Sequence, residues 1–326
     1  MKEISVTSES SGQRLDKFLK RLLPSCPGNL LYKQLRKKNI TLNGNKADGH
    51  ELLATGDLVC VFFSDETYEK FSKGESFDVS RYLKAYEKFG TLDVIYKDEN
   101  VLIFNKPAGI LSQSDSGQDL SCNDYLIGYL LKDGTVTAES LSSFKPSICN
   151  RLDRNTSGLI LCSRSLQGAR FLNRIMSERS AEKYYLALVK GRFDKEGIHT
   201  SYVHKDEKNN KLIFAAGSDP GAMEIKTGFE VIKVGEDASL LKVRLYTGKS
   251  HQIRAHLSHL GYPIIGDPKY GCQDKFGAKR QMLHAYNIIV NDGSDCYDGM
   301  NWKAPMPDDM KKSCIKAFGN IEDLPI

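Results

Sequence analysis

Several things are missing from this chain of 326 residues, and each absence excludes something. No stretch approaches the run of about 20 apolar residues that a membrane-spanning helix needs. The first residues, Met1 to Ser11, are polar and hold no apolar segment of a secretory leader. There are eight cysteines (Cys26, Cys60, Cys122, Cys149, Cys162, Cys272, Cys296 and Cys314), but no C-x-x-C spacing. The nearest two, Cys149 and Cys162, are 13 residues apart. Zinc knuckles, dithiol redox motifs and cluster ligation are therefore unsupported, and the thiols read as small buried hydrophobes in a reducing compartment. Neither G-x-G-x-x-G nor G-x-x-x-x-G-K-[ST] occurs, so no dinucleotide or nucleoside-triphosphate cofactor is indicated. The expectation is a cytoplasmic protein with no membrane segment and no small-molecule cofactor.

What is present is an ordinary globular composition, 40% apolar and 27% charged, over a length that predicts two domains. The net charge of +5 is unevenly placed. Between Arg14 and Lys46 there are nine basic residues and one acidic residue, Asp16, a net +8. The remaining chain, with 37 basic and 40 acidic residues, is −3. A single-sign excess of that size on a folded segment points to a polyanion whose phosphates it would contact.

That basic segment has a compact pattern. Leu15, Phe18, Leu19 and Leu22 fall at i, i+3, i+4 and i+7 and predict one buried helix face, ended by Pro24 and Pro27. A second helix over about 30–38 turns Leu31 and Leu35 inward and Lys33, Arg36 and Lys37 outward. Ile40 to Leu42 then alternates as a strand, Asn43-Gly44 is a hairpin turn, and a strand follows over 58–63. The run Gly12-Gln13-Arg14-Leu15-Asp16-Lys17-Phe18-Leu19, with Leu35-Arg36-Lys37-Lys38-Asn39-Ile40 and Asn43-Gly44, resembles the alpha-L RNA-binding module of ribosomal proteins and RNA-modifying enzymes. Residues 1–64 are assigned to that module. The charged, turn-rich stretch 65–90 reads as an exposed connector with a helix over 79–89. Residues 91–326 form the larger domain.

In the larger domain, strands are predicted over 94–96, 101–104, 158–162, 184–190, 212–215, 225–234, 239–246 and 282–290. Helices are predicted over 120–131, 166–178 and 251–260. Most connections are hairpin-length, which predicts an α+β fold with a mixed, largely antiparallel sheet. Three polar stretches interrupt this pattern: Asn105 to Ile110 after an apolar strand, Asn150 to Leu159 before one, and Tyr246 to Gly261. In the second, Arg151 and Arg154 flank Asp153 and are expected to hold it ionised. In the third, His251, His256 and His259 lie within nine residues, but only His256 and His259 share a helix side, so no metal site is predicted.

Five motifs occur in order: Asn105-Lys106-Pro107-Ala108-Gly109; Arg151-Leu152-Asp153-x-x-Thr156-Ser157-Gly158-Leu159; Glu182 to Gly191; Thr247-Gly248-Lys249-Ser250-His251-Gln252-Ile253-Arg254-Ala255-His256; and Gly266-Asp267-Pro268-Lys269-Tyr270-Gly271. From about Gly12 to about Pro305 the chain resembles the RluA family of pseudouridine synthases, in particular the RluC type that modifies large-subunit (23S) ribosomal RNA. Asn150 stands where that family usually has His, and Lys249-Ser250 replaces the commoner Arg-Thr.

The resemblance implies isomerisation of uridine to pseudouridine in RNA without cofactor or metal. Asp153 matches the catalytic aspartate, Arg254 the arginine that pairs with it, and Tyr185 the tyrosine that packs on the target base. Ile253 is expected on the other side of that base. Lys106 and Arg151 are expected to support substrate binding, and Lys33, Arg36 and Lys37 to grip RNA, ribosomal RNA being favoured. A monomer is expected. The alternatives are a transfer-RNA enzyme of the same class, a non-catalytic ribosome-assembly factor, and a glycosidic-bond hydrolase using Asp267 as a second acid. Asp267 sits in a Gly-Asp-Pro turn and reads as structural.

Overall fold

A computed structural model describes residues 1–7, 10–72, 78–114, 117–271, 275–293, 296–322 and 324. The amino-terminal part runs β1 (Lys2–Ser5), α1 (Leu15–Leu22), α2 (Gly28–Arg36), β2 (Ile40–Leu42), β3 (Asn45–Lys46) and β4 (Leu58–Val61). Its four strands pair in the order β1-β4-β2-β3. Leu15, Leu19, Leu31 and Leu35, the apolar faces of the two helices, close over Ile40, Val59 and Val61 in a core of their own.

The stretch 65–90 is less exposed than its composition suggests. It contains α3 (Asp65–Ser72) and α4 (Ser80–Phe89). Tyr68 and Phe71 of α3 rest on the amino-terminal core, while Tyr82 and Ala85 of α4 are buried in the larger one. Residues 73–77, also read as connector, lie outside the described residues, as does Cys272.

The larger part continues β5 (Asp93–Lys97), β6 (Val101–Lys106), α5 (Cys122–Lys132), α6 (Ser140–Ser143), β7 (Ser147–Ile148), β8 (Ser157–Ser163), α7 (Leu166–Ser177), β9 (Ala181–Lys190), β10 (Gly197–Asp206), β11 (Lys211–Ala215), β12 (Met223–Val234), β13 (Ala238–Leu245), α8 (Gln252–His259), β14 (Leu283–Val290), β15 (Asn301–Lys303) and α9 (Asp308–Phe318). Nine strands run β11-β10-β12-β13-β9-β14-β8-β6-β5, with β15 on β14 and β7 on β8. Among the described strands only β14 and β8 pair in parallel, so the sheet is mixed and largely antiparallel, as predicted.

The central strands are buried on both faces, and their side chains alternate accordingly. Leu102, Phe104, Ile160 and Cys162 enter one core with α4 and α5. Val101, Ile103, Leu159 and Leu161 enter the other, against Phe171, Leu172 and Ile175 of α7 and Trp302 of β15. Gly128 lets α4 approach α5 closely, since a Cβ there would lie 2.2 Å from the Tyr82 carbonyl oxygen. Among the described cysteines five are buried and none is paired; Cys149 is half-buried and Cys296 exposed.

Candidate active site

Asp153 lies in the turn just before β8, and that turn is tied down from several sides. The Thr156 amide donates to the Asp153 carbonyl at 3.0 Å, closing the turn. Ser112 Oγ both donates to the Leu152 carbonyl and accepts from the Leu152 amide. Asn150, where the resemblance leads one to expect His, donates from Nδ2 to the Leu159 carbonyl at 3.0 Å and accepts from the Leu161 amide at 2.7 Å. The amide group thus gives β8 one donor and one acceptor.

Lys106 ends β6 with no exposure. Its Nζ donates to the carbonyls of Pro107, Ile110 and Arg154 at 3.0, 3.0 and 3.2 Å. Burial pushes its pKa down to about 8. The ammonium is thus held by three carbonyls and ties the end of β6 to the turn that carries Asp153. Arg151 is exposed at the same turn.

The guanidinium that reaches Asp153 comes from 101 residues away: Arg254 Nη1 donates to Asp153 Oδ2 at 2.7 Å. The flanking Arg154 instead pairs outward with Asp119 at 3.1 Å. Arg254 is held on its other edge by Asp267, with Nε to Oδ2 at 2.7 Å and Nη2 to Oδ1 at 2.8 Å. The two-pronged contact is therefore with Asp267, and Asp153 receives one bond. Asp267 is fully buried, and its Oδ1 also accepts from the amides of Lys269 and Tyr270. Burial works against the charge on Arg254, but hydrogen bonds and attraction from Asp267 and then Asp153 outweigh it and raise its pKa. The Tyr270 ring lies 5.3 Å from the guanidinium.

Two further groups border the carboxylate. Tyr185, on β9 between Val243 and Ala285, is buried, and burial first, then the negative charge of Asp153, pushes its hydroxyl pKa upward. His251 precedes α8 in the left-handed backbone region, at φ 60°. Its Nε2 stands 3.8 Å from Asp153 Oδ1, and its Nδ1 is 3.4 Å from the Tyr270 hydroxyl. Burial lowers its pKa against the opposing pull of Asp153. Ile253 is buried in the large core beside them.

The three histidines of this stretch diverge. His256 is buried between Ser201 and Thr227 and pushed down to about 4 by burial, and His259 stacks on Phe214 at 3.8 Å. Among the described residues no group of three or more His, Cys, Asp or Glu is placed to hold a metal ion, and no helix is long and apolar enough to cross a membrane.

Lys33, Arg36 and Lys37 are exposed on or just after α2. Asp16, the one acid of that window, is buried and accepts from Arg14 and Tyr32, so its charge is spent on Arg14. Sequence reasoning missed the parts played by Asp267 and His251. The signal for both was their place within the ordered motifs.

A family model described as RNA pseudouridylate synthase matches residues 100–259. An uncharacterized RNA pseudouridine synthase of Mycoplasma genitalium is 30% identical over 303 residues, 87% of each chain. A ribosomal large subunit pseudouridine synthase C of Rickettsia typhi is 32% identical over 283 residues, covering 86% of this chain and 89% of that protein. Its counterpart in Vibrio parahaemolyticus is 28% identical and covers 96% of this chain and 95% of that one. Among solved structures, human RNA pseudouridylate synthase domain containing 4 shares the fold with a TM-score of 0.56 at 19% identity, over 73% of this chain and 97% of that one. Human RNA pseudouridylate synthase domain containing 1 does so at 0.51 and 23%, over 66% and 83%.

Proposed function

The chain belongs to the RNA pseudouridylate synthase family, whose members isomerise uridine to pseudouridine, and from that premise we propose that it modifies large-subunit (23S) ribosomal RNA with Asp153 as the catalytic carboxylate. The reaction breaks the bond from ribose C1′ to uracil N1 and forms one from C1′ to C5. N1 gains a hydrogen and C5 loses one, so nothing is added from outside. The carboxylate must be ionised to act on the sugar.

The observation that carries the assignment is the buried relay Asp267–Arg254–Asp153. It fixes Asp153 Oδ2 with a charge-assisted bond and leaves Oδ1 without one from Arg254. Tyr185 is the flat face for a base drawn out of its stack, and Ile253 the apolar contact beside it. Residues 1–64 act as the RNA-gripping module through Lys33, Arg36 and Lys37, and 91–326 as the catalytic domain. A monomer in the cytoplasm suffices, because Asp153, Tyr185 and Arg254 come from one chain. Ribosomal RNA is supported by the names of the Rickettsia and Vibrio relatives.

Asp153→Asn keeps the shape and removes the charge. Tritium release from C5-labelled uridine in a transcript should drop to background while RNA binding stays near normal. Release at the wild-type rate would overturn the assignment of Asp153. Pseudouridine mapping of ribosomal and transfer RNA from cells with and without the gene should show sites lost from 23S RNA. Loss confined to transfer RNA overturns that substrate.

A further inference from the structure

A second polar network, buried except at its Asp309 end, lies behind the Asp153 turn, and it begins on α9, outside the residues matched by the family model. Arg280 is buried and makes two bonds to Asp309 in the first turn of α9, Nε to Oδ2 at 2.6 Å and Nη2 to Oδ1 at 2.9 Å. Of its remaining donors, Nη2 reaches Ser157 Oγ at 3.3 Å, and Nη1 faces the Asn155 carbonyl at 3.0 Å together with the carbonyls of Gln281 and Leu283 at 3.0 and 3.3 Å. The hydrogen positions then follow by elimination. The Ala304 carbonyl can only accept, so His284 Nε2 donates to it at 3.3 Å; burial pushes this imidazole down to about 4, which leaves Nδ1 to accept from Ser157 Oγ at 2.9 Å. Next in sequence, Gln281 Nε2 reaches Thr156 Oγ1 at 3.4 Å.

The backbone of Arg280 touches the other carboxylate's turn. A Cβ on Gly266, the residue before Asp267, would lie 2.0 Å from the Arg280 carbonyl oxygen, and the Met282 amide donates to the Ile265 carbonyl at 2.9 Å. One residue therefore abuts both turns whose carboxylates share Arg254.

We propose that Arg280, braced by Asp309, is a positioning residue that sets the Asp153 turn in register with the Asp267 turn, so that α9 is mechanically part of the active site. This rests on Asp153 being the catalytic carboxylate. The bare polar contact would be satisfied by many arrangements; the specific feature is that a planar fork with five donors meets acceptors on two separate segments at once.

The test compares Arg280→Lys, Asp309→Ala and Asp309→Glu in the full chain, using tritium release for kcat and KM, filter binding for RNA affinity and thermal unfolding for the fold. Asp309 is half exposed, so its variants spare the core. Arg174→Gln, which breaks the ion pair with Asp292 far from the turn, is the control for stability loss alone. Arg280→Lys should lose on the order of 10²-fold in kcat and Asp309→Ala about tenfold, with KM and RNA affinity unchanged, because small misplacements of a reacting group cost that much. Asp309→Glu should recover most of the rate, and Arg174→Gln should keep it. If Asp153→Asn is silent while Arg280→Lys and Asp309→Ala keep wild-type kcat, or change only KM, the inference is wrong. If Asp153→Asn is active, the reading beneath it is wrong instead.

Discussion

Asp267 touches no reacting atom, yet it determines where Arg254 can stand. Removing its charge leaves a buried guanidinium with one carboxylate partner, at the half-open end. Breaking such a pair from one side costs about 3–5 kcal/mol. Asp267→Asn should therefore lower the urea midpoint with little change in slope, and depress kcat more than RNA affinity; an unchanged midpoint would show that the relay does not hold the fold. Lys106 makes a prediction of opposite character, one of pH. Its folded pKa is near 8 against about 10.5 in the open chain. Below the first value both states hold the proton, and above the second neither does. In between only the unfolded chain binds it, so raising the pH favours the folded chain, by at most about 1.4 kcal/mol per unit. The stability of wild type relative to Lys106→Met should rise from pH 8 to 10.5, and a flat difference would mean that Lys106 stays charged throughout.

Element by element, what could be read in the sequence was what is local. The periodicities of α1, α7 and α8 and the apolar runs of β6, β8 and β14 each carry their own signal, and the structure has helices and strands there. The helix α9, the long strand β10 and the docking of α4 went unread because their apolar residues matter only against distant partners, such as Gly128 beneath Tyr82. The site divides in the same way. Asp153 and Arg254 were legible as motif residues. The choice of Asp267 over Asp153 as the two-pronged partner was not, because it depends on how α8 lies between two turns. Arg154, adjacent in sequence to Asp153, pairs elsewhere for the same reason. The parallel contact of β8 with β14 brings these turns together, and Gly158 makes it possible. Its φ is 116°, and a Cβ would lie 2.2 Å from the Ala285 carbonyl oxygen. Gly158→Ala should destabilise the protein by about 2 kcal/mol or more through strain and overpacking, and reduce activity with it. Gly134→Ala, at φ 76° with open space around it, isolates the backbone strain alone. Equal losses in the two variants would show that the close approach of β8 and β14 is not needed.

At the scale of the whole molecule, charge and chemistry are separated. The window from Arg14 to Lys46 is +8, while the rest of the chain is −3. Asp16, its one acid, is buried and paired with Arg14, so the excess rests on the other eight basic residues of the window. The rest of the chain has no positive excess to draw in a polyanion, so the expectation is that general affinity for RNA comes from the amino-terminal segment. Counterion release turns this into a measurement: each phosphate contact contributes about 0.7–0.9 to the slope of log affinity against log salt. Replacing Lys33, Arg36 and Lys37 with Gln removes three charges from exposed positions and should flatten the slope by about two units. KM should rise at physiological salt, while kcat at saturating RNA stays the same, because none of the three approaches the Asp267–Arg254–Asp153 relay in the contacts that hold it. An unchanged slope would show these side chains to be ordinary solvated surface, and a fall in kcat at saturation would mean that the module aligns the target uridine as well as holding the RNA.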